Sequence, residues 1–544
     1  MCVSHLYRTR LRGQITVLLI TFFSYAALHV TRKSFSFAKV NLAYPHCPGP
    51  VLFVNQTVIC PTAHCTLNAT NDHTQLPICD SYFGNLSQTT NNLAILDTIF
   101  LFFYACGLYV AGFVEDRVDI RKALALGMAV SSLTVFGFAI LACFSIHTFW
   151  PYALLWSLNG LIQASGWPAA VSIMGSWFGS LNCNCFGTSN TAKKNRCGRG
   201  AILGAWSGNA SAGNVISSWV FFLVLSNSVL PGYAPHQNGN WILAMAISAG
   251  ILLFVAVLVF FMVRLPSETG WLDSGEDLHN EESDEDSGEE TGSGEFGQRS
   301  LNEPLVLDYM EGDEEGEHSS DEAVSFCEAL CIPGVVPYAL SYMCLKLANY
   351  AMFFWLPFYL SHSKAEAKGT ATNIDVISSS FDYGQIMGGF FAGWISDRLR
   401  TRAPVVVVML LMSSVALLSF FALGAPSVGL LVVMIPVTGF LLGGPANMIS
   451  SAIAADLGSS VQGSGKALAT VTGIIDGTGS LGAAVGQYLV FVLANCGTGS
   501  GGSGEHCTWT PVFIMLVGCT LCAALFISRM CLRDCRKCGR TRTK

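Results

Sequence analysis

Basic side chains interrupt two long apolar stretches of the chain. Arg32 and Lys33 lie deep inside the stretch 14–42, and Lys346 lies inside the stretch 334–360. A cation surrounded by hydrocarbon is costly, so bases at this depth mark functional sites unless their long side chains reach the headgroups. Guanidinium binds phosphate through two hydrogen bonds, and lysine adds a mobile point charge. These three bases are therefore expected to hold a phosphate-like anion in a central cavity.

Aromatic and imidazole groups accompany the bases. Tyr25 precedes Arg32 by two helical turns and should share its face, where its hydroxyl can donate to an anion. His29 lies one turn from Arg32, and Tyr104 in the stretch 92–114 is a further candidate for lining the cavity.

Three acidic residues also fall within apolar stretches. Asp97 and Asp382 are expected near helix ends, where capping explains them. Asp476 lies in the glycine-rich run 473–479. Three roles remain open for it: pairing with a base of the site, which ranks first, carrying a proton, or satisfying backbone in a loosened helix.

Composition requires lipid around these elements. The chain has 544 residues, of which 51% are hydrophobic and only 12% charged, about half the charge of a soluble domain. A helical crossing needs about 20 apolar residues. Twelve stretches qualify: 14–42, 92–114, 122–145, 148–178, 200–226, 240–263, 334–360, 377–396, 404–424, 427–455, 466–493 and 509–530.

Charge and cysteine patterns orient these crossings. Lys and Arg cluster at the N-terminus, after the second, fourth and eighth crossings and in the tail, whereas residues 40–96 contain neither, so both termini are expected in the cytosol. The base-free lumenal loop 43–91 carries three glycosylation sequons, at Asn55, Asn68 and Asn85. Possible disulfide cysteines on the same side, with their pairing open, are Cys47, Cys60, Cys65, Cys79, Cys496 and Cys507. Disulfides and glycosylation on that side of the membrane indicate an oxidising compartment, which is the endoplasmic reticulum, an endosome or lysosome, or the exterior of the cell.

The chain repeats itself with a constant offset. Gly112, Asp116 and Arg117 after the second crossing recur 281 residues later as Gly393, Asp397 and Arg398. Two six-helix halves related in this way define the major facilitator architecture, an all-α membrane fold of twelve helices. A charge pair at each repeated turn can lock one of two rocking states, and we expect these acids and arginines to form a gate.

An acidic segment separates the halves. Of the 36 acidic residues, 21 lie between Arg264 and Ser325, where only two bases occur. Its charge and its Ser and Gly content predict disorder. The chain is therefore expected to divide into an N-terminal six-helix bundle (1–263), a cytosolic linker (264–326) and a C-terminal six-helix bundle with a basic tail (327–544).

Several motifs resemble the organophosphate:phosphate antiporters, and among them the animal sugar phosphate exchangers (solute carrier family 37). They are the run Phe23–Phe35, Gly166-Trp-Pro, Trp177-Phe178, Gly198-Arg-Gly, Trp355-Leu-Pro and the runs starting at Ser451 and Lys466. The resemblance covers nearly all of the membrane-embedded chain. It implies exchange of inorganic phosphate for a phosphorylated small molecule in an endoplasmic reticulum or lysosomal membrane, with Arg32 binding the phosphoryl group.

Three positions depart from that pattern. Asn349 stands where the bacterial antiporters have a second Arg, and Leu108 and Ala210 replace a lysine and a histidine. These departures put glucose 6-phosphate exchange in doubt but are compatible with another phosphate- or phosphonate-bearing anion.

Two other functions stay open. One is a proton-coupled organic anion symporter that uses Asp476 or Asp97, and the other is a membrane adaptor that acts through the acidic linker. The sequence has no nucleotide-binding loop, catalytic triad or metal-ligand cluster, so an enzyme, a cofactor, a metal site or a nucleic-acid partner is not expected. An accessory membrane subunit is left open.

Overall fold

The computed structural model describes most of the helical chain and little of its loops. Described are residues 2–43, 52–54, 57–59, 82–84, 86–178, 199–225, 240–264, 324–361, 374–423, 428–459, 467–494, 497–498, 505–506 and 509–542. The three sequons, the six lumenal cysteines and the acidic segment 265–323 lie outside these ranges, so the structure does not bear on those predictions.

The described chain is almost entirely helical. The first half contains α1 (Cys2–Ala43), α2 (Leu86–Glu115), α3 (Ile120–Cys143), α4 (Phe149–Gln163), α5 (Gly166–Phe178), α6 (Arg199–Trp206), α7 (Asn209–Leu225) and α8 (Asn240–Met262). The second half contains α9 (Phe326–Cys331), α10 (Val335–Ser361), α11 (Ile374–Leu399), α12 (Ala403–Leu423), α13 (Val428–Asn447), a π-helical segment (Met448–Ile453), α14 (Ala454–Gly458), α15 (Leu468–Ala494) and α16 (Thr510–Arg542).

Two short antiparallel hairpins were not predicted. Strand β1 (Leu52–Val54) pairs with β2 (Thr57–Ile59) inside the loop that follows α1. Strand β3 (Gly497–Thr498) pairs with β4 (Glu505–His506) between α15 and α16. The sequence neighbours of that second pair include Cys496 and Cys507, which lie outside the described residues.

Length and hydropathy alone identify eight spans among the described helices. The other four predicted crossings are the pairs α4/α5 and α6/α7, each interrupted, and the more polar α10 and α11. Large apolar side chains such as Leu126, Phe261 and Leu525 are 66 to 73% exposed on the outside of the bundle. Because hydrocarbon and not water must cover such a surface, the expectation of an all-helical membrane protein is confirmed.

The packing of the helices follows the sequence repeat. In the first half α1 packs on α7, α2 on α4 and α3 on α8. The matching pairs in the second half are α10 with α15, α11 with α13 and α12 with α16. Two further contacts join the halves, α2 with α15 and α11 with α6 and α7. Two similar six-helix bundles therefore meet along two pseudo-equivalent seams.

Glycines allow the seams to close. A Cβ atom at Gly112 would lie 2.6 Å from the carbonyl oxygen of Ala469, and one at Gly393 would lie 2.2 Å from the carbonyl oxygen of Gly200. These two glycines occupy the same place in the repeat, and each lets the backbone of the other bundle approach directly.

Proline and glycine interrupt two crossings that the sequence predicted as continuous. Pro168 lacks a backbone N–H, and its ring would clash with the carbonyl of residue 164, so α4 ends at Gln163 and α5 begins at Gly166. Ser207 and Gly208 separate α6 from α7. In the second half, the π-helical segment follows Pro445, which lies in the last turn of α13.

Candidate functional site

The middle of the molecule holds the Arg32 side chain. Arg32 is only 1% exposed. Its Nε and Nη2 donate to Oε1 of Gln163 at 3.3 and 3.2 Å, and its Nη1 donates to the Tyr350 hydroxyl of the other bundle at 3.3 Å. The guanidinium carbon lies 4.4 Å from the centre of the Tyr104 ring. Arg32 thus faces the space between the bundles, and the alternative in which it reaches lumenal headgroups is wrong for this conformation.

Lys346 approaches the same place from the second bundle. It is 3% exposed, and its Nζ donates to Oδ1 of Asp476 and to the Ser480 hydroxyl, both at 2.8 Å. The Nζ lies 5.7 Å from the Tyr104 ring centre and 5.3 Å from that of Tyr350. Because Arg32 contacts the same two tyrosines, bases from both halves share one aromatic cage.

Asp476 has the role that ranked first among its three alternatives, since it forms a buried ion pair with Lys346. The loosened helix is wrong, because α15 runs unbroken from Leu468 to Ala494. The glycines of the run serve packing: a Cβ atom at Gly479 would lie 2.5 Å from Cδ1 of Tyr342 and 3.1 Å from Cδ of Lys346.

The remaining predicted residues line this cage or lie next to it. The Tyr25 and Tyr104 hydroxyls are 3.2 Å apart. Lys33 points towards α10, where its Nζ donates to the Phe353 carbonyl at 2.8 Å and lies 4.0 Å from the ring centre of that residue. Asn349 donates to Oε1 of Gln385 at 3.3 Å, and its own side-chain oxygen is buried without a hydrogen-bond partner among the described residues.

Two acids expected to cap helix ends do not do so. Asp97 lies in the body of α2, where it is buried and forms an ion pair with Lys39. Asp382 lies in the body of α11 and accepts a hydrogen bond from Nδ2 of Asn214 at 2.7 Å. Position near a helix end predicted capping, but a base or an amide from a neighbouring helix takes up each carboxylate.

The repeated acids bind the opposite bundle at the ends of the seams. Asp116 accepts hydrogen bonds from the backbone N–H groups of Ala469 and Thr470 at 3.2 and 2.8 Å, at the first turn of α15. Asp397 accepts from those of Gly200 and Ala201 at 3.2 and 2.9 Å, at the first turn of α6. Each carboxylate therefore caps a helix of the other half, where the helix dipole favours negative charge.

The arginines that follow these acids contact their own surroundings. Nη1 of Arg117 donates to the Phe113 carbonyl at 2.7 Å, and Nη2 donates to the Val324 carbonyl at 3.4 Å. The Arg398 guanidinium lies 5.3 Å from the Trp394 ring centre. Burial raises the pKa of the Asp116 carboxyl, and hydrogen bonds from Thr470 act against this rise. The two repeated acids thus cap helices of the opposite half, and their role in a gate stays a prediction.

Removing either cap should loosen one helix and leave its counterpart intact. Replacing a capping Asp by Ala costs about 0.5–2 kcal/mol, which corresponds to about 2- to 30-fold faster amide exchange if the helix end opens locally. Asp116→Ala is expected to accelerate hydrogen exchange at residues 468–472 and not at 199–203. The Asp397→Ala variant, as the matched control, should show the reverse, and equal effects on both segments would contradict separate caps.

Sequence reasoning missed three neutral partners of the bases. Gln163, Tyr350 and Asn214 join the described network through the hydrogen bonds given above for Arg32 and Asp382. Each is a polar residue inside an apolar stretch, and this signal, applied beyond the charged residues, would have found them.

Comparison with known proteins agrees with this architecture. The model of the Major Facilitator Superfamily matches residues 52–487. The chain is 38% identical over 537 residues to sugar phosphate exchanger 3 of Gallus gallus, covering 96% of this chain and 93% of the relative. It is 32% identical over 523 residues to the glucose-6-phosphate exchanger of Bos taurus, covering 95% and 94%.

A solved structure supplies an independent match to the fold. The crystal structure of the Escherichia coli fucose:proton symporter superposes with a TM-score of 0.53 over 95% of this chain and 99% of that chain, at 13% sequence identity. At that identity the likeness shows the fold alone. Fold, repeat and relatives agree that this chain belongs to the major facilitator superfamily, as a multi-pass membrane transporter and not an enzyme, related to the sugar phosphate exchangers.

Proposed function

We propose that this protein exchanges inorganic phosphate for a phosphorylated or phosphonate-bearing small organic anion, similar to a sugar phosphate, by alternating access. One observation carries the proposal: Arg32 and Lys346, from different bundles, are buried around the same two tyrosines. An anion held there contacts both bundles, so its binding can influence how the two bundles rock against each other. The relatives' names, which refer to sugar phosphate and glucose 6-phosphate exchange, support the same substrate class.

Charge compensation explains why exchange is favoured over one-way transport. The hydrogen bonds of Arg32 go to neutral acceptors, and within the described chain it makes no ion pair. A buried, uncompensated cation costs several kcal/mol, which a bound anion offsets. Lys346 does not add to this cost, because Asp476 already neutralises it. The requirement for an anion therefore rests on Arg32.

The organic part of the substrate is expected to meet amides on the α10 side. Asn349 lies where the bacterial antiporters have an arginine, and its side chain donates to that of Gln385. Both amides can donate to or accept from hydroxyl groups. A second phosphoryl-binding guanidinium is absent from that position, so recognition there depends on neutral hydrogen bonds. This keeps glucose 6-phosphate in doubt as the substrate and makes a panel of phosphorylated compounds the direct way to identify it.

Transport by purified protein in vesicles tests the proposal. Uptake of labelled phosphate is expected to be at least about tenfold faster into vesicles loaded with phosphate than into empty ones, because reorientation of the empty site is unfavourable. A pH gradient alone, without internal phosphate, should not drive uptake. If the gradient drives uptake and internal phosphate has no effect, the symporter replaces the exchanger. If no phosphorylated anion is transported under either condition, the adaptor is favoured.

The cellular location belongs to the same proposal. The base-free loop with its sequons and cysteines supports a membrane that borders an oxidising compartment, the endoplasmic reticulum or the lysosome, with both termini in the cytosol. Loss of a mobility shift on deglycosylation after substituting Asn55, Asn68 and Asn85 would support the lumenal placement of that loop.

A further inference from the structure

A chain of hydrogen bonds links the Arg32 guanidinium to a buried carboxylate. Nη1 of Arg32 lies 3.3 Å from Nε2 of His29, and Nδ1 of His29 lies 3.2 Å from Oδ1 of Asn214. Nδ2 of Asn214 donates to Oδ1 of Asp382 at 2.7 Å, which continues the chain from α1 through α7 to α11. All four side chains are buried.

Donor and acceptor rules fix the imidazole in this chain. Arginine only donates, so Nε2 of His29 must accept and carries no proton. The proton of the neutral ring is then on Nδ1, which donates to the Asn214 oxygen and leaves the Asn214 nitrogen to donate to Asp382. The ring is thus held in one tautomer, with its free lone pair directed at the guanidinium that is proposed to bind phosphate.

The charges around His29 sum to one positive unit. In the membrane-spanning part that the structure describes, the region around His29 holds four bases and three acids, namely Arg32, Lys33, Lys39, Lys346, Asp97, Asp382 and Asp476, whereas the buried Glu115 is the last residue of α2 and lies outside this group. The net charge is therefore one positive unit with His29 neutral. A phosphate dianion over-compensates it by one unit, and a single added proton restores neutrality. Low-dielectric surroundings make that balance favourable.

We propose that His29 takes up one proton with each phosphate dianion and gives it up when the anion leaves. This inference rests on the proposed phosphate exchange and adds the charge state in which the anion travels. The wild-type carrier would accordingly move phosphate as an effectively monovalent unit, made of dianion and proton together.

The proton step is simple in atomic terms. A phosphoryl oxygen replaces Nε2 as the acceptor of the Arg32 Nη1 hydrogen, so the ring lone pair becomes free. A proton from solvent or buffer then bonds to Nε2, and the imidazolium donates it in a hydrogen bond to the anion. The Nδ1–H bond to Asn214 is the same in both states, so the relay need not rearrange. On release of the anion the proton returns to solvent.

Several charged or titratable groups act on the ring besides the anion. Tyr25, Arg32 and Lys33 of α1 and Lys346 of α10 act on it, and Asp382 of α11 is linked to it through Asn214. Tyr104 of α2 and Tyr350 of α10 contact Arg32, and Asp476 of α15 pairs with Lys346. The cations disfavour an imidazolium in the empty site. The bound dianion and the Asp382 carboxylate favour it in the loaded one.

Proton uptake on binding tests the inference. Calorimetry of the purified protein near neutral pH, in buffers with different ionisation enthalpies, counts protons taken up per anion bound. Monofluorophosphate is the informative probe, because it stays a dianion near neutral pH and any proton must bind to the protein. The wild type is expected to take up close to one proton per monofluorophosphate. Binding without proton uptake would overturn the inference and leave the exchanger intact, whereas failure to bind either phosphate or monofluorophosphate would overturn the exchanger itself.

Two variants locate the proton. His29→Gln keeps hydrogen bonding but cannot titrate, so its proton uptake should fall to near zero while it still binds monofluorophosphate; unchanged uptake would overturn the assignment. If His29→Gln no longer binds monofluorophosphate, the Asn214→Leu variant tests the assignment of the proton to His29 instead. It keeps the imidazole and removes its acceptor, so proton uptake measured at the same pH is expected to fall by at least half, and a value equal to that of the wild type would contradict the relay.

Discussion

Replacing Arg32 by Gln is expected to slow phosphate exchange at least about 100-fold in vesicles. A guanidinium gives a phosphoryl group two charge-assisted hydrogen bonds, each worth about 1.5–3 kcal/mol. Glutamine removes the charge and the fork together. In the empty protein, the buried Arg32 guanidinium makes hydrogen bonds only to neutral partners among the described residues, namely Gln163, Tyr350 and His29. The same substitution should therefore not lower the melting temperature in detergent.

Arg32→Lys is the matched control, because it retains the charge and loses the planar fork. It should exchange more slowly than wild type by about tenfold and remain well above Arg32→Gln. Lys122→Gln, which removes a base that is mostly exposed at the start of α3, should leave exchange unchanged. If Arg32→Gln exchanges phosphate as fast as wild type, the anion does not bind at Arg32 and the proposed site is wrong.

The repeat explains why so much of the architecture follows from the sequence. A constant offset between Gly112 and Gly393, and between Asp116 and Asp397, predicts two equivalent halves, and the structure places each pair at an equivalent seam. The partner of each acid was not predictable in this way. It is the first turn of a helix from the other half, and a spacing along the chain does not reveal which helix ends meet.

Local sequence rules also explain where a predicted crossing is interrupted, whereas the contact that the interruption makes follows only from the tertiary structure. Hydropathy predicted 148–178 as one crossing, because Ser165, Gly166 and Pro168 barely lower its average. The helix nevertheless breaks there, since a proline ring excludes the carbonyl one turn before it. Trp167 at the start of α5 then reaches the π-helical segment and donates through Nε1 to the Ser450 carbonyl at 3.2 Å. Only the tertiary structure shows that contact.

The site itself was partly predictable. The cost of burying charge identified Arg32, Lys33 and Lys346 without any structure. It could not show that Lys346 is already neutralised, because Asp476 lies 130 residues away on a helix whose rotation the sequence leaves open. The sequence therefore predicted which groups gather at the centre, and the structure shows how their charges are divided.

The buried ion pair between Lys346 and Asp476 leads to a second prediction with a large effect, which concerns stability. Asp476→Ala is expected to destabilise the protein by roughly 3–5 kcal/mol, because it leaves the Lys346 ammonium buried without its counter-ion, with the Ser480 hydroxyl as its remaining hydrogen-bond partner among the described residues. The double variant Lys346→Met/Asp476→Leu should regain most of that loss, since apolar groups of similar volume replace a buried pair at little cost. Unfolding in mixed micelles with increasing SDS measures both.

Transport by the same pair of variants separates a structural salt bridge from a binding group. The double variant is expected to fold but lacks one cation of the proposed site, so its phosphate exchange should fall by at least about tenfold although its stability recovers. Recovery of both stability and exchange would remove Lys346 from the site and leave it as a packing element. A double variant as unstable as Asp476→Ala would show instead that the loss in Asp476→Ala comes from packing around α15 and not from an uncompensated charge.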